Sequence, residues 1–154
     1  MDTLETYIKM CEKAIEIQTH EPEAWDYYYL NVKRKYFDDI NGVVVLSGYE
    51  TASGYYGPDP EYLEDSEGVK IWLPCQDQLQ EMVADQAEIA GIHVNIALLY
   101  RLVEFADTIH PEYPTMEQLW LAFVMKKKFG KTWDGENWTL EANALPIPLD
   151  KPDM

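Results

Sequence analysis

Apolar residues recur along this chain with two different periods, and the change of period falls near Pro74. At the start, Leu4, Ile8, Cys11 and Ile15 stand at i, i+4, i+7 and i+11, one stripe of a helix. Asp2 with Glu5 fits a capping pair at its start, and the helix is expected to fade near Thr19. The next stretch is strand-like. "WDYYYLNV" (Trp25 to Val32) is aromatic, "VVVLSGY" (Val43 to Tyr49) is β-branched at its start, and "VKIWL" (Val69 to Leu73) ends at Pro74. Asn41-Gly42, two residues that tolerate positive φ, predicts a hairpin turn before the second strand.

After Pro74 the spacing becomes helical. Cys75, Leu79, Met82 and Val83 share one side of "CQDQLQEMVADQ". Ile89, Ile92, Ile96, Leu99, Val103 and Ala106 form the most regular stripe in the chain and predict a core-facing helix. "HPEYP" breaks that helix. Thr115 and Gln118 predict a capping box for the next one, whose apolar face is Met116, Leu119, Trp120, Phe123 and Val124. Lys126, Lys127 and Lys128 suit the negative end of its dipole, and Gly130 suits its C-cap. Trp133 and Trp138 flank "DGEN" and predict a tight hairpin with both rings on one face. The expected fold is α+β: a small, mostly antiparallel sheet packed against three to four helices, with Ile96, Leu99, Val103, Leu119 and Phe123 in one core. The pattern predicts one globular domain over residues 1–154, with a long acidic loop at 48–68 and a mobile proline-rich tail from about 143.

Composition agrees with a folded chain, at 47% hydrophobic and 13% aromatic residues. No apolar run approaches the roughly 20 residues that span a bilayer, and "MDTLETYIKM" lacks the basic start of a signal peptide. These features predict a soluble, cytoplasmic protein that is not secreted. Two cysteines and three histidines are scattered, so no metal site and no cofactor is expected.

Charge changes the picture more. The net charge is −16, and between Tyr36 and Tyr100 twelve acids stand against one base, Lys70. Such a field repels nucleic acid and anionic membranes and suits a basic partner, though ordinary solubility accounts for it as well. Within this region lies "GYETASGYYGPDPEYLEDSEG" (Gly48 to Gly68), too long for a simple connection and without the spacing of a phosphate cradle or a calcium loop. Its tyrosines, Tyr49, Tyr55, Tyr56 and Tyr62, either pack back on the sheet or form a contact surface. Its acids, Glu61, Glu64, Asp65 and Glu67, are the matching candidates for a charged contact.

Candidate chemistry is thin. There is no G-x-S-x-G and no H-E-x-x-H, and His110 with Asp107 reads as a surface contact at a helix end. No catalytic residue is assigned. The favoured function is non-catalytic contact with a protein partner or a second copy of the chain. The alternative is an acidic nucleic-acid mimic that blocks a host DNA- or RNA-binding or defence protein. A hydrolase with paired carboxylates is the third reading.

Two blocks, "IWLPCQDQLQEMV" (Ile71 to Val83) and "PTMEQLWLAFVMKKKFGKTWDGENW" (Pro114 to Trp138), resemble uncharacterised small phage- and prophage-encoded proteins of Firmicutes-type bacteria. An arginine often stands at the position of Cys75 in that group, which implies that no essential thiol sits there. The resemblance implies a phage or mobile-element origin and carries no activity to any residue.

Overall fold

A computed structural model describes residues 2–33, 39–46, 63, 67–84, 94–108 and 113–140. In chain order these form α1 (Glu5–Lys13), β1 (Tyr27–Lys33), β2 (Ile40–Val45), β3 (Glu67–Trp72), α2 (Gln76–Ala84), α3 (Val94–Ala106), α4 (Met116–Phe129), β4 (Lys131–Trp133) and β5 (Trp138–Leu140). The first three strands make an antiparallel sheet in the order β2-β1-β3, and β4 and β5 pair as a separate hairpin. The fold is therefore α+β, with its strands mostly before the helices, as the change of period predicts.

Alternation along the aromatic central strand sets the two faces of the sheet. Tyr28, Leu30 and Val32 are buried on one face, while Tyr27 and Tyr29 are half-buried and Asn31 is exposed on the other. α1 lies against this second face, leaving an open cleft of about 630 Å³ lined by Ile8, Lys9, Tyr29 and Ile71 among others.

Asn41 and Gly42 are not a turn. They lie inside β2, opposite Asn31 and Leu30, so the register continues through them. The actual connection from β1 to β2 covers residues 34–39. Gly42 has a positive φ of 153°, which is why glycine fits there, but it uses that freedom within the strand.

Gly68 is more tightly constrained. A Cβ there would sit 2.3 Å from the Asn31 carbonyl oxygen and 2.9 Å from Val32 Cα, at a φ of 137°. Strands β1 and β3 approach so closely only because this residue has no side chain. Gly68→Ala is expected to lower unfolding free energy by about 2 kcal/mol or more, through clash and backbone strain. A denaturant midpoint equal to that of the parent protein would contradict this account.

The outer edge of β3 is closed at one point by a side chain. The Trp72 amide donates to Gln18 Oε1 (2.8 Å), and Gln18 Nε2 donates to the Trp72 carbonyl (3.1 Å) and to the Cys11 carbonyl (3.1 Å). The carboxamide thus stands where the next strand would be. At the same end of the sheet, just before β1, Trp25 and Asp26 both bond to Leu46, two residues opposite one, as in a β-bulge. Trp25 takes the left-handed conformation (φ 74°) and exposes its ring.

The helices differ from expectation in which sides they bury. In α1 the buried residues are Tyr7, Met10 and Cys11, followed by the buried C-cap Ala14, while Leu4 before the helix and Ile15 after it are exposed. The helix ends at Lys13, so Ile15 falls in the following turn. The expected capping pair of Asp2 with Glu5 does not form: Leu4 is the N-cap and no side chain caps the helix, while Asp2 binds elsewhere. Its Oδ1 accepts from the Leu4 amide, and its Oδ2 accepts from Thr115 Oγ1 (2.5 Å) and Gln118 Nε2 (2.8 Å). Thr115 does cap α4, accepting from the Gln118 amide, but the Gln118 side chain turns to Asp2 instead of closing the box. Gly130 ends α4 in the left-handed conformation, with Lys126 to Lys128 in the last turn, as predicted.

α4 is buried on every side from Trp120 to Met125, and α1, α2, α3 and β4 all pack on it. The predicted five-residue core holds for Phe123 and in part for Leu119. It fails for Ile96, Leu99 and Val103, which face solvent. α3 turns a different set inward: Ala97, Leu98, Leu102 and Phe105.

Candidate functional site

α3 is apolar around most of its circumference, so its pattern contains two stripes. The small Ala97 and the residues Leu98, Leu102 and Phe105 meet α4, with Phe105 edge-on to Phe123 at 5.4 Å and Phe123 edge-on to Trp120 at 5.7 Å. The second stripe remains uncovered. Ile96, Leu99, Tyr100 and Val103 are 52%, 54%, 68% and 51% exposed, at i, i+3, i+4 and i+7. Beside this stripe a cleft of about 220 Å³ opens between α2, α3 and α4, lined by Gln76, Gln80, Leu98, Leu99, Met116 and Trp120. Scattered exposed leucines need no explanation, but four large apolar side chains in helical register, next to a cleft, make a surface shaped for contact.

A second constellation centres on Asp26, a buried carboxylate at the bulge. Its Oδ2 accepts from the Glu23 amide (2.8 Å) and lies 2.7 Å from His20 Nε2, and its Oδ1 accepts from Gln78 Nε2 (2.6 Å). Gln78 Oε1 in turn accepts from the Cys75 amide at the start of α2. The His20 ring stacks on Trp72, with centroids 3.8 Å apart and planes 14° from parallel. His20 and Trp72 border a cleft of about 220 Å³ that Tyr28, Leu63 and Lys70 also line. Both carboxylate oxygens are already engaged, so Asp26 acts as a brace between the 18–26 segment, the sheet and α2. Burial and the neighbouring Asp26 charge push the Tyr28 hydroxyl well above its ordinary range.

Sequence reasoning missed this assembly. His20 and Asp26 are six apart with no periodic relation, and their partners Trp72 and Gln78 lie far along the chain. No local signal joins them.

Of the predicted contact residues, Tyr49, Tyr55, Tyr56, Tyr62, Glu61, Glu64 and Asp65 lie outside the described residues. Glu67 is exposed at the start of β3. Leu63, the one described residue between Leu46 and Glu67, is buried, and its carbonyl accepts a hydrogen bond from the Lys70 ammonium. The proline-rich tail also lies outside the described residues.

The two cysteines are free. Cys11 is fully buried, and burial pushes its thiol far up. Cys75 is half-buried and is also raised, by burial first and by Asp77 second. Both stay protonated at neutral pH. A thiol reagent at pH 8 is expected to modify Cys75 slowly in the folded protein and Cys11 only after denaturation. Rapid modification of both in native buffer would contradict the packing around α1.

No helix among the described residues is long and apolar enough to cross a membrane. No protein-family model matches the chain, and no curated protein and no solved structure matches it significantly.

Proposed function

We propose that the chain works without catalysis, by protein–protein contact, and that the solvent-facing stripe of α3 is its principal contact surface. The observation that carries this is the run Ile96, Leu99, Tyr100 and Val103, each more than half exposed on one side of one helix. Burying large apolar side chains is the main source of contact energy, at about 25 cal/mol per Å² removed from water. A helix that spends four of them on solvent is explained by a surface that covers them. The tyrosine-rich segment at 48–68 remains a proposed second contact. The resemblance of residues 71–83 and 114–138 to phage and prophage proteins supports a mobile-element origin and a site of action in the bacterial cytoplasm.

The test compares the parent protein with Leu99→Glu/Val103→Glu. Both positions face water in the single chain, so the fold should survive. Tagged protein is expected to retain a protein, itself or another, through a high-salt wash, because apolar contact is not screened as charge contact is. The double variant should release it. Retention that the variant leaves unchanged would sink this reading. Release by salt alone, with no effect of the variant, would favour the charged alternative.

A further inference from the structure

We propose that the cleft beside His20 binds a small organic monocarboxylate, with Lys70, Tyr28 and Trp72 donating to its oxygens and Pro22 and Leu63 packing on its carbon end. This site is separate from the α3 stripe and goes beyond the reading of the chain as a contact protein.

The strands build the site. Side chains two apart on a strand share a face, so Lys70 and Trp72 of β3 stand on one side of the sheet. Pairing sets Tyr28 of β1 directly opposite Trp72, and residues opposite one another share a face as well. All three line the cleft of about 220 Å³, together with His20, Pro22 and Leu63. Two distant segments of sequence thus bring an ammonium, a phenol and an indole to one concavity.

Each of the three has donor capacity that the protein does not use. Trp72 is 3% exposed, and its indole Nε1 is buried without a hydrogen-bond partner. A buried donor with no acceptor is costly and calls for one. The Tyr28 hydroxyl has no partner among the described residues, and burial and the Asp26 charge keep it protonated, so it is a donor too. Lys70 gives one hydrogen bond, to the Leu63 carbonyl, and meets no carboxylate among the described residues. An ammonium has three donors, so it retains some to give.

The nearest acid does not compete for them. Asp26 has turned both oxygens to the Glu23 amide, His20 and Gln78. Its bond to His20 Nε2 also fixes the imidazole flat against the Trp72 ring, which makes a firm wall. Charge points the same way. Lys70 is the single lysine or arginine against twelve acids between Tyr36 and Tyr100. A lysine kept for charge balance would pair with an acid, whereas this one faces a carbonyl, a phenol and an indole.

One ammonium balances one negative charge. A phosphate dianion would add uncompensated charge to a chain that already carries −16. Pro22, Leu63 and the indole ring suit a short carbon chain, and small-molecule sites combine such apolar lining with a few placed polar groups. A monocarboxylate meets both conditions.

The test is a titration of the isotope-labelled full chain with sodium butyrate, read on the indole N–H resonances of its five tryptophans. Trp72→Phe assigns the Trp72 signal. Butyrate is expected to move that signal saturably in the millimolar range and to leave those of Trp133 and Trp138 in place. Sodium chloride at equal ionic strength should not move it. Lys70→Met should weaken binding by more than about tenfold, because it removes a charge-assisted hydrogen bond. Tyr28→Phe removes the hydroxyl alone and should weaken binding about fivefold. Circular dichroism should show both variants folded, and either one suffices for the test. No saturable shift overturns the proposal, and so does a shift that chloride reproduces. Inorganic phosphate binding in preference to butyrate overturns the carboxylate assignment. Parent-like affinity in the folded variants places the ligand elsewhere and overturns the site.

Discussion

Replacing Asp26 with alanine is expected to lower the unfolding free energy by about 3–5 kcal/mol, the cost of removing one partner from a buried charged assembly. Three donors converge on this carboxylate: the Glu23 amide, His20 Nε2 and Gln78 Nε2. Alanine leaves each of them without its acceptor, and a stranded buried donor costs about 1–3 kcal/mol. His20 is partly exposed and can turn to water, which keeps the sum from reaching the upper limit. The loss should also propagate. Gln78 fixes the first turn of α2, and the His20 ring covers Trp72. Asp26→Asn should fall in between, because one amide oxygen can keep the Gln78 bond while the amide nitrogen faces the Glu23 N–H. Urea unfolding of the three proteins would measure this series. A loss under about 1 kcal/mol for alanine would mean that the assembly is solvated and does not brace the fold.

The second large effect is expected at Trp120. It is buried against Phe123 at the meeting of α2, α3 and α4, so Trp120→Ala should cost about 3–5 kcal/mol from lost burial and the cavity left behind. The cavity would merge with the cleft beside Leu98 and Leu99. α3 should therefore lose protection before the rest of the protein, and hydrogen exchange should show its amides opening at lower free energy than those of β1. Ile96→Ser is the control. That residue belonged to the core expected from periodicity, yet it faces solvent, so its replacement should leave the stability of the single chain nearly unchanged. A stability loss at Ile96 as large as that at Trp120 would restore the periodic reading.

The contrast between those two residues shows what the sequence could reveal. Caps and turns are local chemistry, and they were legible: Thr115 and Gly130 bound α4, and Trp133 and Trp138 meet across the hairpin at 5.1 Å. The β3 run and the helix after Pro74 were legible because proline punctuates them. The stripe on α3 was legible as a stripe, but its direction was not. A helix that is apolar nearly all round gives periodicity two answers, and Ala97 and Leu98 prevailed because a small residue lets α3 approach α4 closely. Asn41-Gly42 carried a strong turn signal, yet pairing with β1 overrode it. Asp2, Gln18 and Asp26 act through bonds to residues many positions away, and nothing near them in sequence announces those partners.

The N-terminal helix rests on the sheet, with Tyr7 donating to the Pro74 carbonyl, but a second set of its bonds goes to residues that are made late. Trp138 Nε1 donates to the Met10 carbonyl, Lys9 pairs with Glu136, Lys131 with Glu16, and Asp2 receives Thr115 and Gln118. A chain emerging from the ribosome therefore carries α1 with only its sheet contact until most of the sequence has been synthesised. The last bonds of the first element must form late in folding, after translation has passed β5. Arrested chains that end before Lys131 should keep α1 open to protease, and chains released beyond Leu140 should protect it. The order of synthesis and the order of assembly run in opposite directions at this end of the molecule.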